Sequence, residues 1–269
     1  MPDRTRAEPR RLLILGGTAE AAALARAASE RFSGRLEMTT ALAGRTEQPG
    51  PLPGDLRIGG FGGAVGLVEY LIEARVDLLI DATHPFAESI ARHARIASAQ
   101  AGVPRLVLER PPWRRDPLDR WIEVGDVSGV AAAVARVGRR CFLTIGVSGL
   151  GAFEPLSHVH FLVRLIDPPK QPLPLASYEV VLGRGPFTLA AERDLLRRHE
   201  IDVLAVKASG GAATEAKLIA AREVALPVVM LSRPKPEPGP RASTVEAALA
   251  WLDERLPDTA LPLPEAARR

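Results

Sequence analysis

The sequence predicts an α/β protein of two doubly wound lobes, each a mostly parallel sheet covered by helices, facing a cleft. Three observations carry that prediction. Short runs rich in Val, Ile and Leu alternate with helix-length segments through most of the 269 residues, the pattern of strands buried on both faces between crossover helices. The alternation breaks at the proline- and arginine-rich stretch ERPPWRRDPLDR, residues 109–120, and then starts afresh. That break divides the chain into lobes at 1–112 and 113–256, with a tail at 257–269. Glycine turns stand at the ends of several apolar runs, beginning with Gly16 and Gly17. In Rossmann-like sheets ligands bind there, at the carboxyl ends of the strands.

In the first lobe, strands are predicted at 12–15, 36–41, 56–58, 76–80 and 105–108, with helices near 19–31, 64–74 and 87–101. Pro85 suits the first residue of the third helix, where its fixed φ and missing N–H cost nothing, and this leaves Thr83 or His84 near the cap. In the second lobe, strands are predicted at 121–124, 141–145, 160–165, 179–182, 203–206 and 228–231, with helices near 127–137, 187–199 and 213–224. A last helix at 244–255 opens on Ser243 and Glu246, spaced as a capping box.

A balance of 46% hydrophobic and 25% charged residues belongs to a globular protein with a sizeable core. The longest apolar runs fall far short of the roughly 20 residues that a membrane-spanning helix needs. The basic start followed by LLIL is too short for a signal peptide and is broken by Gly16, Gly17 and Glu20. A cytoplasmic setting with no membrane partner is expected, and a single cysteine, Cys141, fits a reducing compartment. The five histidines form no H-E-x-x-H or Cys/His cluster, so no metal is expected. A formal charge of +3 argues against a massed basic face for nucleic acid. Lys170, Lys207, Lys217 and Lys235 are the only lysines among 35 basic residues. Codon bias accounts for such a ratio, and arginine is also the better bidentate partner for carboxylate and phosphate.

Gly16, Gly17 and Thr18 turn the first strand abruptly into a helix. Two glycines let the main chain approach a ligand, Thr18 adds a hydroxyl, and the helix start, with Glu20 in its first turn, aims N–H groups at an anion such as a pyrophosphate. Ala21, Ala22 and Ala23 supply the close packing that the third glycine of G-x-G-x-x-G provides elsewhere. After the second strand, Gly44 and Arg45 stand where an NAD site places an acid, so the cation points to the 2′-phosphate of NADPH. A surface pair of Arg45 with Glu47 is the plainer alternative. Gly60, Phe61 and Gly62, in IGGFGG, suit close passage of a flat or phosphorylated ligand. In DATHPFA, residues 81–87, Asp81 and His84 are candidates for an acid/base pair, with Thr83 beside them. The alternative there is a tied-down turn with a helix cap.

Taken together and in order, LLILGGTAEAAALA, LAGRT, GGFGG, DATHPFA, TIGVSGLGAF and VKASGGAATEAKLIAARE resemble the precorrin-6A reductase family of cobalamin biosynthesis. The resemblance implies an NADPH-dependent reduction of a macrocyclic double bond, precorrin-6A to precorrin-6B. A close relative in the anaerobic route takes the cobalt-containing substrate. Such a carboxylate-rich tetrapyrrole suits arginine, and the candidates are Arg110, Arg114, Arg115, Arg164 and Arg184, with Lys207 at a strand end. KASGG adds Ser209, Gly210 and Gly211, and GVSGLGAF adds Ser148, as turns whose N–H groups suit a carboxylate; Pro85 joins them from DATHPFA. Transient contact with neighbouring pathway enzymes is the expected protein partnership. A non-catalytic NADPH sensor is the alternative from another class, and a methyltransferase of the same pathway predicts S-adenosylmethionine instead. Short-chain dehydrogenase chemistry is disfavoured, because Tyr70 and Tyr178 are followed four positions later by Ala74 and Leu182 and not by lysine.

Overall fold

The computed structural model describes residues 8–44 and 50–256, so Arg45 and its expected 2′-phosphate contact lie outside the described residues. The chain divides into two compact units, one of residues 8–44, 50–109 and 237–256, the other of 110–236.

The first unit runs β1 (Arg10–Leu15), α1 (Ala19–Arg31), β2 (Leu36–Leu42), β3 (Asp55–Ile58), α2 (Gly63–Glu73), β4 (Leu78–Asp81), α3 (Glu88–Ala101) and β5 (Arg105–Leu108). β1 feeds two cores at once. Leu12 and Ile14 pack with Leu24, Ala25 and Ala28 of α1, while Leu13 and Leu15 join Leu67 and Leu71 of α2 and Ala94 and Ala97 of α3. Alternate side chains therefore point to opposite apolar layers, which is why LLIL reads as one continuous run.

The second unit follows with β6 (Trp121–Val124), α4 (Val127–Val137), β7 (Arg140–Leu143), β8 (His160–Leu165), β9 (Tyr178–Leu182), α5 (Leu189–Arg198), β10 (Val203–Lys207), α6 (Ala216–Glu223) and β11 (Val228–Leu231). Phe142, Leu162, Leu204, Val206, Val228 and Met230 form one face of its core with Leu196 of α5 and Leu218 and Ala221 of α6.

The chain then re-enters the first unit. β12 (Arg241–Ala242) pairs with β5, Arg241 opposite Val107 and Ala242 opposite Leu108, and α7 (Val245–Asp253) lays Ala248, Leu249 and Leu252 into the core that α1 lines. This corrects the expected boundary, because residues 237–256 complete the first sheet and do not belong with 113–236. A two-residue strand in a proline-rich segment carries no periodicity to read. The cap of α7 is corrected as well: Thr244, not Ser243, accepts the Ala247 N–H at 3.1 Å. Two hydroxyls stand in tandem, and only the second directly precedes the first helical residue. Pro85 does not open α3 either. It lies in a turn closed by the Ala87 N–H on the His84 carbonyl (2.7 Å), and the helix begins at Glu88.

All strand pairs are parallel, in the orders β12-β5-β4-β1-β2-β3 and β6-β11-β10-β7-β8-β9. The order reverses between β1 and β4 in the first sheet and between β7 and β10 in the second. At such a reversal successive helices leave to opposite faces and a crevice opens at the strand ends. Among the described residues, no helix is long and apolar enough to cross a membrane.

Candidate active site

At the first reversal, Gly16 donates its N–H to the Ala41 carbonyl at 2.9 Å, and a Cβ there would stand 3.0 Å from Thr40 Cγ2. Gly17 takes φ +105°, a conformation that favours glycine. Thr18 caps α1, accepting the Ala21 N–H at 3.1 Å, and donates its own proton to the Ala82 carbonyl at 2.8 Å. One hydroxyl thus closes the helix start and fastens the turn after β1 to the turn after β4. Glu20 sits in the first turn of α1, where a carboxylate answers the helix dipole.

β4 delivers Asp81, which is 2% exposed. Its Oδ1 accepts the Thr83 hydroxyl at 2.7 Å and the Thr83 N–H at 3.2 Å, while Oδ2 lies 3.9 Å from Arg105. Burial pushes the Asp81 carboxyl up, against the opposing pull of Thr83 and Arg105, and burial likewise lowers the Arg105 guanidinium. His84 Nδ1 accepts the Phe86 N–H at 3.2 Å, which puts the proton of the neutral ring on Nε2. The expected pairing of Asp81 with His84 is therefore corrected. An aspartate side chain readily closes a turn onto the N–H two residues on, and here that local bond takes the carboxylate for Thr83.

Beside these turns the main chain lies bare. Among the described residues, nothing stands within 4 Å of the position a Cβ would take on Gly59, Gly60, Gly62 or Gly63. Gly44 (φ +71°) ends the described part of the β2 turn. Phe61 packs edge-on against Tyr70 with ring centroids 5.1 Å apart.

At the second reversal, Thr144 follows β7 and donates both its N–H and its hydroxyl to the Ala205 carbonyl, at 2.9 and 3.1 Å. The turn continues through Gly146 and Gly149, both at positive φ, and leaves Ser148 exposed. The turn after β10 starts from Lys207, and its carbonyls are held by cations and an indole. Arg233 donates to Ala208 (2.7 Å), Ser209 (2.8 Å) and Arg110 (3.0 Å). Arg110 Nε donates to Ser209 (2.7 Å), and Trp113 Nε1 to Gly211 (2.8 Å). Gly210 takes φ +66°, and a Cβ on it would stand 2.2 Å from the Pro111 carbonyl.

Arg164 is corrected from substrate clamp to internal ion pair. Its side chain is 10% exposed, with Nη1 2.7 Å from Oε1 of the fully buried Glu192 and the guanidinium 4.0 Å from the Phe187 ring centre. The arginine is the penultimate residue of β8, and its guanidinium is covered by the Phe142 and Phe187 rings and by Glu192. Nearby, α6 buries Lys217, whose Nζ donates to the Thr214 carbonyl at 2.8 Å and lies 5.4 Å from the Trp113 ring. Burial pulls its pKa down to about 7, against the pull of Glu192. Sequence reasoning missed Arg233, Trp113, Lys217 and Arg105. Arg233 alone left a signal, two residues beyond β11 at the same sheet edge as the nominated turns.

Residues 11–253 match the family model described as Precorrin-6x reductase CbiJ/CobK. The chain belongs to that family. Within it, the precorrin-6A reductase of Rhodococcus erythropolis is 46% identical over 243 residues, 90% of this chain and 97% of the relative. The solved structure of CobK precorrin-6A reductase matches with a TM-score of 0.86 at 43% identity, covering 91% of this chain and 96% of that one. The cobalt-precorrin-6A reductase of Priestia megaterium is more distant, 29% identical over 198 residues, 69% of this chain and 76% of the relative. Membership in the precorrin-6x reductase family makes the chain an oxidoreductase acting on a CH–CH group with a nicotinamide cofactor.

Proposed function

We propose that this protein reduces precorrin-6A to precorrin-6B with NADPH, as a cytoplasmic step of cobalamin biosynthesis. The observation that carries the cofactor half is the first reversal, where Thr18 joins two turns and the glycines beside it leave the main chain bare. A dinucleotide needs that openness, because its pyrophosphate approaches backbone N–H groups more closely than a side chain permits. Gly16, Gly17 and Thr18 hold the pyrophosphate. Glu20 serves as acceptor for a sugar hydroxyl, Gly44 and Arg45 receive the 2′-phosphate end, and Gly60, Phe61, Gly62 and Thr83 border the nucleotide.

A reduced nicotinamide held by these residues would supply the hydride, and a proton from the protein or from water would complete the conversion of C=C to CH–CH, leaving the oxidised nucleotide. His84 Nε2 is the proton-bearing atom nominated for that second transfer, being the protonated nitrogen when Nδ1 accepts from Phe86. Asp81 acts on Thr83 and so positions the turn. In the second unit, Ser148, Lys207, Ser209, Gly210 and Gly211 offer donors to substrate carboxylates, with Arg110 bracing the turn after β10 through the Ser209 carbonyl. Higher identity to the precorrin-6A reductases supports the cobalt-free substrate.

Purified protein, NADPH and precorrin-6A test the reading. Loss of the reduced-nicotinamide absorbance is expected, one NADPH per macrocycle. Binding without oxidation would leave only the sensor reading, and turnover confined to the cobalt-containing macrocycle would move the enzyme to the anaerobic route.

A further inference from the structure

Several arginines of the first unit are held by carboxylates. Arg10 pairs with Asp77, Arg31 with Asp253, Arg95 with Glu237, Arg105 with Asp81 and Arg241 with Glu109. Arg57 is held differently. Its guanidinium lies 4.4 Å from the Phe61 ring centre and 5.3 Å from that of Tyr70, and one Nη2 proton goes to the Gly60 carbonyl at 3.1 Å. Among the described residues no carboxylate pairs with it.

Aromatic contact fixes a guanidinium through its faces and leaves the edge donors for another acceptor. Of five N–H donors one is taken by Gly60. A planar cation so restrained has little conformational freedom left to lose on meeting a planar or tetrahedral anion, which favours bidentate capture of a phosphate.

Its position says which phosphate. Arg57 is the penultimate residue of β3 and stands in register with Ala41 of β2. The Gly59 N–H, bonded to the Leu42 carbonyl at 2.9 Å, brings the glycine turn after β3 alongside the end of β2. In doubly wound nucleotide-binding sheets the adenosine ribose lies at the end of the second strand, with its 2′ substituent directed to that strand's turn.

We propose that Arg57 is a specificity-determining residue, a stacked guanidinium that receives the 2′-phosphate of NADPH and discriminates against NADH. This rests on the reading above that the first sheet binds the nicotinamide dinucleotide. It makes the turn after β3 a source of cofactor choice, with Phe61 and Tyr70 as the shelf that keeps the cation in place.

Calorimetric titration with NADP⁺ and with NAD⁺ tests it without turnover. Arg57→Met is expected to weaken NADP⁺ about tenfold or more while moving NAD⁺ less than about twofold. Arg57→Lys, which keeps the charge and loses the fork, is expected to fall between, again for NADP⁺ alone. Unchanged NADP⁺ affinity in both variants overturns the proposal and leaves the cofactor reading intact, as does an equal loss for both nucleotides, which marks a structural role. A wild-type protein that binds neither nucleotide overturns the cofactor reading itself, and this proposal with it.

Discussion

Between β1 and β4 the turns are held by a hydroxyl and a buried carboxylate; between β7 and β10 they are held by two arginines and an indole. In the first case Thr18 and Asp81 belong to the turns that they hold, one donating to Ala82 and the other accepting from Thr83, and open glycines remain beside them. In the second, Arg110, Arg233 and Trp113 reach from outside the turn to its carbonyls. The difference teaches how an arginine-rich chain uses its cations. Arg233 and Arg164 are structural members, seated on carbonyls or a buried glutamate, while Arg57 lies against rings and, among the described residues, pairs with no carboxylate.

Four substitutions bear on that contrast. The largest effect is expected from Gly210→Ala, where the added methyl meets the Pro111 carbonyl and the backbone sits at positive φ. Stability should fall by about 3 kcal/mol or more, read as a drop in Tm of roughly 6 °C or more. Gly17→Ala, whose Cβ meets nothing within 4 Å among the described residues, should cost clearly less. Equal losses in thermal denaturation would erase the distinction between a crowded turn and an open one.

Lys217 sharpens the comparison through pH, since it is a buried cation close to the second reversal. Its folded pKa of about 7 lies below the ordinary 10.5, so between those values the unfolded chain holds a proton that the folded chain has released. Stability therefore rises with pH across that window, by about 1 kcal/mol per unit. Denaturant titrations at pH 7 and pH 9 should show this gain in the wild type and its absence in Lys217→Met. A wild type as flat as the variant would mean that the ammonium is solvated.

Thr18→Val has the smallest expected cost. It removes the cap to Ala21 and the bond to Ala82 at nearly constant volume, for about 1–2 kcal/mol. The loss should be accompanied by weaker NADP⁺ binding in the same calorimetric titration. A stability loss with unchanged nucleotide affinity would confine Thr18 to a structural task.

Legibility in the sequence followed locality. Eleven of the described strands announced themselves as apolar runs, most plainly those buried on both faces, as Leu12 to Leu15 are by two separate cores. The glycine turns were equally plain, since Gly16, Gly17, Gly210 and Gly211 adjoin strand ends in the chain itself. β12 escaped notice because two residues at the end of a proline-rich stretch have no period. The nomination of Arg164 failed for another reason: a basic residue in an apolar strand looks the same in sequence whether it faces a ligand or a buried Glu192.

The sequence by itself determined the two doubly wound sheets and the turns at their carboxyl ends, because hydrophobic period and glycine placement act between near neighbours. Only the tertiary structure decided that residues 237–256 complete the first sheet, that Asp81 serves Thr83 and not His84, and which arginines brace carbonyls. The first and last of those outcomes depend on contacts between residues far apart in the chain, such as Arg241 with Val107 or Arg233 with Arg110, while the second is a local bond that competes with an equally local partner. A side chain's charge is written in the sequence, but its partner is chosen by the packing that surrounds it.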